Sequence, residues 1–257
     1  MDPIVSGPGE GERLTSEHRL MLVKAVRPEL DVLEYDADTE YEGAGAHYHA
    51  RHADSFYVLE GELAFVVAGT PVRARAGSFV LVPPGVVHEF TNPGPGRVRL
   101  LNIHAPDADF VDLMRAHDRG ENVAGADYDV FEVDENAGDG SAVVSGPDEG
   151  ERFERADRTL LVKAEEPQLS LIEMRLEPTW AGIPPHEHDD HVDSFYVVEG
   201  EIEIVVGADT VRATAGTLMT APQGARHGIN GTGLDGARLL NIHTPDAGFV
   251  EWVRSVN

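Results

Sequence analysis

Short apolar runs, separated by glycine and proline, recur along the whole chain. Residues 201–206 begin with strict alternation of charged and apolar side chains, and residues 169–178 alternate in the same way. Such alternation is typical of strands that bury one face. Residues 79–82 are apolar throughout and stop at Pro83-Pro84-Gly85, which indicates a buried strand entering a turn. The pattern therefore predicts an all-β protein.

Two stretches depart from this pattern and show helical spacing. Phe110, Val111 and Met114 fall on one face of a helix, and the same spacing recurs at residues 249, 250 and 253. Asp107 precedes the first stretch, so we expect it to be the N-cap residue of that helix.

The chain contains the same unit twice. Residue n matches residue n+139 without a gap from Ser6 onward. For example, Leu100-Leu-Asn-Ile-His104 recurs as Leu239-Leu-Asn-Ile-His243. Two copies with so long a period indicate a duplicated domain rather than a repeat array.

An acidic, glycine-rich segment at residues 119–139 separates the two copies. Its composition is typical of a surface linker, with a short edge strand predicted at residues 128–133. We therefore predict an N-terminal barrel at residues 1–118, a linker at 119–140 and a C-terminal barrel at 141–257.

Charge and cysteine content exclude several classes of protein. The 257-residue chain has a net charge of −26 and two lysines, which disfavours binding to nucleic acid or an anionic membrane. No apolar run is long enough to span a bilayer, and the N-terminus lacks the pattern of a signal peptide, so we expect a cytoplasmic protein. Because cysteine is absent, any bound metal must be held by nitrogen and oxygen.

Ten of the twelve histidines form pairs related by the 139-residue offset, as do two aspartates. The pairs are His47 and His186, His49 and His188, His52 and His191, His88 and His227, His104 and His243, and Asp54 and Asp193. Preservation of these side chains while their neighbours differ indicates a metal site in each copy.

The spacing of the first four candidates predicts how they meet. His47 and His49 project from one face of a strand, whereas Asp54 can join them only if the chain turns near residues 50–53. The Pro83-x-Gly85 turn brings His88 back towards them. The second copy repeats the set as His186, His188, Asp193 and His227. Three imidazoles and a carboxylate suit Fe, Mn, Ni, Zn, Cu or Co, with coordination positions left for water or substrate.

These residues carry a resemblance to a known family. The motifs His-x-His-x4-Asp-x6-Gly and Gly-x5-Pro-x-Gly-x2-His occur in both copies and are similar to the two motifs of the cupin superfamily. The chain resembles the quercetin dioxygenase-like bicupins. The resemblance implies two tandem cupin double-stranded β-helix (jelly-roll) barrels, each with a short C-terminal helix and each binding one divalent transition metal.

The carboxylate is the main departure from the family pattern, in which glutamate is usual. Asp54 and Asp193 are one methylene shorter, so each could bind metal directly, bind through water or orient a histidine. If either is not a firm ligand, it could serve as the catalytic base. An asparagine often follows the last histidine by four residues in the family; it is present as Asn92 but replaced by Gly231 in the second copy.

Other side chains are candidates for the surroundings of the metals. His52 and His191 could support the ligands from behind, lie at the pocket mouth, act as alternative ligands or be turn residues. His104 and His243 are expected to cap the helix or pack rather than to reach substrate. Strand parity gives Phe90 the same face as His88. Because the second copy also has Met174 at the position equivalent to Tyr35, we predict that the first pocket is the more aromatic. The remaining candidates for the pocket or the core are Phe56, Phe195 and Ile229.

The leading functional prediction is a metal-dependent dioxygenase that acts on a small apolar or aromatic organic substrate. A decarboxylase needs an inward arginine to hold a dianion, and no arginine lies near the ligands with the required parity. Other cupin chemistry, such as isomerisation, and non-catalytic binding of a metal or small molecule are the alternatives. We expect no nucleic-acid or membrane partner. The two barrels are expected to pair within the chain, and a homodimer is left open.

Overall fold

The computed structural model describes residues 2–256. These residues form two compact units. The first unit is Gly11–Asp148, and the described residues on either side of it form the second unit. None of the helices in the described residues is long and apolar enough to cross a membrane.

Both units consist mainly of strands. The first unit ends in a short strand that follows its helix, and the second unit ends in a helix. The second unit begins with β1 (Ile4–Ser6). The elements of the first unit are β2 (Glu12–Ser16), β3 (Arg19–Arg27), β4 (Leu30–Ala37), β5 (Ala44–Tyr48), β6 (Ala53–Glu60), β7 (Glu62–Val67), β8 (Thr70–Arg75), β9 (Phe79–Val82), β10 (His88–Thr91), β11 (Val98–Ala105), α1 (Phe110–Asp118), a 3-10 turn (Gly125–Tyr128), β12 (Phe131–Glu132) and β13 (Val143–Ser145). The second unit continues with β14 (Glu151–Arg155), β15 (Arg158–Glu166), β16 (Leu169–Leu176), β17 (Ile183–His186), β18 (Val192–Val206), β19 (Asp209–Thr214), β20 (Leu218–Ala221), β21 (His227–Thr244) and α2 (Phe249–Val256).

Two antiparallel sheets build the first unit. One has the order β12-β5-β10-β7-β8, and the other has the order β13-β9-β6-β11-β4-β3-β2. Alternate residues of β7 point inward, so Leu63, Phe65 and Val67 are buried. They join Phe56 and Phe90 in one hydrophobic core.

In the second unit, the corresponding strands run on without a break. Strand β18 spans the region equivalent to β6 and β7, and β21 spans the region equivalent to β10 and β11. Pro93 and Pro95 separate β10 from β11 in the first unit because proline has no N–H to donate to a ladder. Thr232 and Leu234 occupy the equivalent positions, and β21 continues through them. The predicted all-β class with short terminal helices is confirmed in both units.

The sequence-based boundaries differ from this division. The predicted linker at 119–140 is part of the first unit, where β12 pairs with β5 and carries the predicted edge strand. Residues 4–6 were predicted to belong to the N-terminal barrel at 1–118. They pair instead with β20 and so belong to the second unit. The prediction that Asp107 caps α1 is wrong. Its Oδ1 accepts the N–H of Asp109 instead, and the helix begins at Phe110.

A buried carboxyl group distinguishes β4 from its counterpart β16. Asp31 is 0% exposed, and the equivalent residue is the buried Ser170. Burial, followed by the neighbouring Asp107 carboxylate, raises the pKa of Asp31 to about 9. Asp31 is therefore protonated in the folded protein at neutral pH, whereas it ionises in the unfolded chain.

Asp31 should make the protein less stable as pH rises. A raised folded-state pKa means that the folded state holds a proton that the unfolded state releases, so stability is lost between about pH 4 and pH 9. We expect Asp31→Asn to reduce this slope by up to about 1.4 kcal/mol per pH unit. Urea unfolding from pH 6 to 9 measures it, with the exposed Asp139→Asn as control. Equal slopes in Asp31→Asn and wild type would contradict the assignment.

Candidate metal centres

Strand pairing brings the first set of histidines and aspartate together. His47 on β5 lies opposite His88 on β10 in the sheet register. The chain bends at residues 50–52, directly after His49, and returns as β6, which carries Asp54. This is the turn that the spacing predicted. One potential ligand atom from each of these four side chains lies within 4.8 Å of every other.

Hydrogen bonds to main-chain carbonyl groups orient the three imidazole rings. A carbonyl oxygen can only accept, so each Nδ1 carries the proton and donates it. Each Nε2 is then left with a lone pair that faces the cluster. The acceptors are the carbonyl oxygens of Gly45 for His47 (2.7 Å), Asp129 for His49 (2.9 Å) and Val86 for His88 (3.1 Å).

The Asp54 carboxylate completes the cluster. It is 3% exposed, and its Oδ2 lies 3.2 Å from His88 Nε2 and 3.6 Å from His49 Nε2. Its Oδ1 accepts a 2.5 Å hydrogen bond from Asn102 Nδ2. Burial alone would raise the pKa of Asp54, but the nearby imidazoles of His104, His49 and His88 outweigh it and hold the pKa well below its usual value. The group is therefore an ionised ligand candidate.

The donor set of the first cluster fits a transition metal. His49 Nε2 is buried and has no hydrogen-bond partner among the described residues, although it faces an ionised carboxylate. Such an atom is costly to bury unless something binds it. Three imidazole nitrogens and one carboxylate oxygen, with the rings anchored through Nδ1, match the ligands and supporting contacts of Fe, Mn, Co, Ni, Cu or Zn sites.

The second unit repeats this arrangement. Potential ligand atoms of His186, His188, Asp193 and His227 also lie within 4.8 Å of one another. Asp193 Oδ2 is 3.0 Å from His227 Nε2 and 3.6 Å from His188 Nε2. Asn241 donates to the other carboxylate oxygen at 2.5 Å, as Asn102 does in the first unit. Burial opposes ionisation of Asp193, but His243, His188 and His227 hold its pKa well below the usual value.

The two centres differ in how far they open to a cavity. The side chain of His188 is 21% exposed, against 2% for the equivalent His49. A cavity of about 760 Å³ reaches the second centre, and its lining includes both tryptophans of the chain. Its apolar residues include Leu160, Met174, Trp180, Ile183, Phe195, Phe249, Trp252, Val253 and Val256.

The first cavity is smaller and more polar. It measures about 510 Å³ and is lined by Arg19, Tyr35, Tyr41 and Phe90 as well as His47 and Asp54. A more aromatic first pocket was predicted, but each cavity is lined by four aromatic side chains: Tyr35, Tyr41, Phe90 and Phe110 in the first, and Trp180, Phe195, Phe249 and Trp252 in the second. The expectation that no arginine approaches the ligands also fails, since Arg19 and its equivalent Arg158 line the two cavities.

Two of the residues predicted to surround the metals are core residues instead. Phe56 packs against Phe65 and Phe90 with ring centroids 5.0 Å from each, and it does not line the first cavity. Ile229 belongs to the core of the second unit. Phe195 does line its cavity, in agreement with its prediction as a pocket residue.

The paired histidines outside the ligand set are buried next to it. His52 donates from Nδ1 to Asp129 Oδ2 (2.8 Å), and its Nε2 is 2.9 Å from His104 Nδ1. His104 Nε2 meets Asn102 Oδ1 at 2.8 Å, and Asn102 in turn contacts Asp54. His104 therefore belongs to the network of the centre, where sequence reasoning expected a cap or simple packing. His49, His52 and His104 also form a cluster close enough to hold a metal.

Sequence reasoning missed three residues of these networks: Asn102, Asn241 and Asp129. A signal existed for the asparagines, because each lies two residues before a paired histidine within the repeated Leu-Leu-Asn-Ile-His motif and shares its strand face. Asp129 had no such signal, since it lies in the segment predicted to be a linker.

Comparisons with known proteins agree with this architecture. The cupin domain family matches residues 38–104 and 172–243, which together make up more than half of the chain. Quercetin 2,3-dioxygenase from Bacillus subtilis is 29% identical over 91 residues, which cover 34% of this chain and 27% of that protein. An uncharacterized protein from Aquifex aeolicus is 35% identical over 69 residues, 27% of this chain and 56% of its own length. The matched segments thus span about a quarter of the first relative and little more than half of the second.

Among solved structures, the oxalate decarboxylase of Lactobacillus farciminis in complex with formate matches with a TM-score of 0.66. Its sequence identity is 13%, over 95% of this chain and 86% of that one, so the likeness concerns the fold. Two β units, each with a His/His/Asp/His cluster that could hold a metal ion, define a duplicated metal-binding β-barrel protein. The chain belongs to the cupin family and, with two cupin regions, is a bicupin.

Removing one histidine from either cluster should remove the metal from that cluster alone. We expect the purified protein to hold about two metal equivalents, and His49→Ala and His188→Ala each to lose about one, because each imidazole supplies one of four ligands. Elemental analysis of the purified proteins measures this. His18→Ala, which changes a histidine outside both clusters, should retain both equivalents. Unchanged metal content in both cluster variants would contradict the assignment of the sites.

Proposed function

We propose that this bicupin is a metal-dependent dioxygenase that acts on a small apolar or aromatic organic compound, and that the second unit holds the substrate. The observation that carries the proposal is the cavity of about 760 Å³ whose apolar wall ends at His186, His188 and Asp193. Cavities of this size and lining are typical of sites for small organic ligands. The similarity to a quercetin dioxygenase over 91 residues supports the same reaction class.

The apolar wall would supply binding energy for such a substrate. Trp180, Phe195 and Phe249 present aromatic surface to the cavity, which favours a planar ring by burial of area and by ring contacts. Trp252 stacks on Phe249 with centroids 5.5 Å apart and is itself 56% exposed, so it lies where a substrate would enter.

A transition metal held by His186, His188, Asp193 and His227 would supply the Lewis-acid and redox chemistry that a reaction with O2 needs. Neighbouring side chains fix the geometry of these candidate ligands. Asn241 fixes Asp193 through Oδ1, and the depressed pKa keeps Asp193 ionised. Asp193 would act as a base towards an acidic hydroxyl of the substrate only if it is not a firm ligand, and its depressed pKa makes it a weak base that is better suited to binding metal.

Decarboxylation of a small carboxylic acid in the first unit is the second candidate. Arg19 lines the first cavity together with His47 and Asp54, and its Nε is buried without a hydrogen-bond partner. Arg19 donates from Nη1 to the Tyr41 hydroxyl at 3.3 Å and lies 5.5 Å from the centre of the Tyr35 ring. A guanidinium in this position suits a carboxylate. In the second unit, Arg158 already pairs with Asp157 at 3.1 Å.

Oxygen consumption separates these functions. We expect protein loaded with each metal in turn to consume O2 in an oxygen electrode when quercetin or smaller aromatic hydroxy compounds are added. His188→Ala should abolish the uptake and His49→Ala should leave at least part of it, because only the second centre opens to the large apolar cavity. Trp180→Ala should raise KM more than it lowers kcat, since Trp180 contacts substrate but is not a ligand.

Absence of substrate-dependent O2 uptake in every metal form would refute the dioxygenase proposal. Release of CO2 from a small dicarboxylate without O2 consumption, lost in Arg19→Gln, would support the second candidate instead. Tight binding of these compounds with no turnover would indicate a binding protein.

A further inference from the structure

Asp129 contacts the first metal centre at several points, although its own side chain is not a candidate ligand. Its main-chain carbonyl accepts the Nδ1–H of His49 at 2.9 Å. Its carboxylate accepts hydrogen bonds from the N–H of Ala50 (3.1 Å), the N–H of Arg51 (2.9 Å) and Nδ1 of His52 (2.8 Å). Asp129 is 2% exposed, so these contacts are made out of water.

The local backbone explains how one residue does this. Asp129 follows the 3-10 turn Gly125–Tyr128 and has a φ of 61°, in the left-handed region that aspartate and asparagine tolerate better than most residues. Both its carbonyl oxygen and its carboxylate reach the bend between His49 and His52. That bend connects two candidate ligands, His49 and Asp54.

Asp129 also reaches the carboxylate ligand through a chain of side chains. From Asp129, contacts of 2.8–2.9 Å run to His52, to His104 and to Asn102. Two neutral imidazoles supply one N–H group each, so two of these three contacts are hydrogen bonds. Asn102 then donates to Asp54 Oδ1. Two of the four candidate ligands are thus held by contacts that begin at Asp129.

The second centre lacks this support in the described residues. His191 Nδ1 pairs instead with Asp190, a residue of the bend itself whose side chain is 70% exposed. His191 Nε2 and His243 Nδ1 would make the link equivalent to that between His52 and His104, but neither atom has a hydrogen-bond partner among residues 2–256. The side chain of His188 is 21% exposed. No main-chain carbonyl among the described residues accepts a hydrogen bond from its Nδ1, as that of Asp129 does from His49.

We propose that Asp129 is a positioning residue that makes the first centre retain its metal longer than the second. A ligand ring that is already oriented loses less freedom on binding metal and leaves it less readily. Loss of such supporting contacts commonly costs 10- to 100-fold in metal affinity. The proposal does not depend on which reaction the protein catalyses.

Metal release from the intact, fully loaded chain tests the proposal. Zn²⁺ or Co²⁺ is loaded, an excess of a coloured chelator is added, and release is followed by absorbance. We expect two phases in the wild type. His49→Ala should remove the slow phase, and His188→Ala should remove the fast one.

Asp129→Asn should accelerate the slow phase by about 10- to 100-fold and leave the fast phase unchanged. Asparagine preserves the shape and the backbone preference of Asp129. The two carboxylate oxygens accept three N–H groups, whereas the amide has only one oxygen that can accept. The matched control is Asp127→Asn, an exposed change two residues away, which should alter neither phase. Urea unfolding of the metal-free proteins separates this effect from a general loss of stability, which would accelerate both phases.

His52→Gln provides a second test that keeps Asp129 itself. It interrupts the path to Asp54, while the Asp129 carboxylate still accepts the N–H groups of Ala50 and Arg51, so the slow phase should quicken less than in Asp129→Asn. An unchanged slow phase in Asp129→Asn would overturn the proposal, as would a slow phase that disappears in His188→Ala. If Asp129→Asn does not fold, an unchanged slow phase in His52→Gln would overturn it.

Discussion

Each unit buries an ionised carboxylate, whose charge is compensated by hydrogen bonds and by the metal ion that the neighbouring imidazole nitrogens would hold. Asp54 and Asp193 are 3% and 2% exposed and remain ionised. A buried charge without partners would cost several kcal/mol. Strand pairing supplies the partners: β5 and β10 bring two histidines opposite each other, and the bend before β6 returns the carboxylate to them. The barrel can therefore be understood as the scaffold that makes this charge tolerable.

Outward from that carboxylate, the two units diverge. In the first, the segment after α1 folds back, and Asp129 accepts hydrogen bonds from His49 and His52 beside the centre. In the second, the centre borders a larger cavity that contains both tryptophans, and one of its histidines is partly exposed. Duplication thus preserved the ligands while the surroundings diverged into a closed centre and an open one. Such a difference would allow one site to hold metal firmly while the other admits substrate.

Local periodicity was sufficient to predict the strands, the terminal helices and the bend that brings Asp54 to His49. It could also have led to Asn102, which shares a strand face with His104. Other features depend on the path of the chain far away in sequence. Asp129 acts on His49 across 80 residues, and its segment has the composition of a linker. The role of Arg19 was missed for the same reason, because it reaches the first cavity from β3, remote from the ligand motifs.

Anomalous X-ray diffraction from crystals of the metal-loaded protein tests the central claim most directly, because it locates the metal by element. The account predicts one peak in each unit, bonded at about 2.0–2.2 Å to the Nε2 atoms of the three histidines in each cluster. Asp54 or Asp193 should lie beside the metal, directly or through water. Peaks centred on His52 and His104, or no peak at either cluster in fully loaded protein, would contradict it.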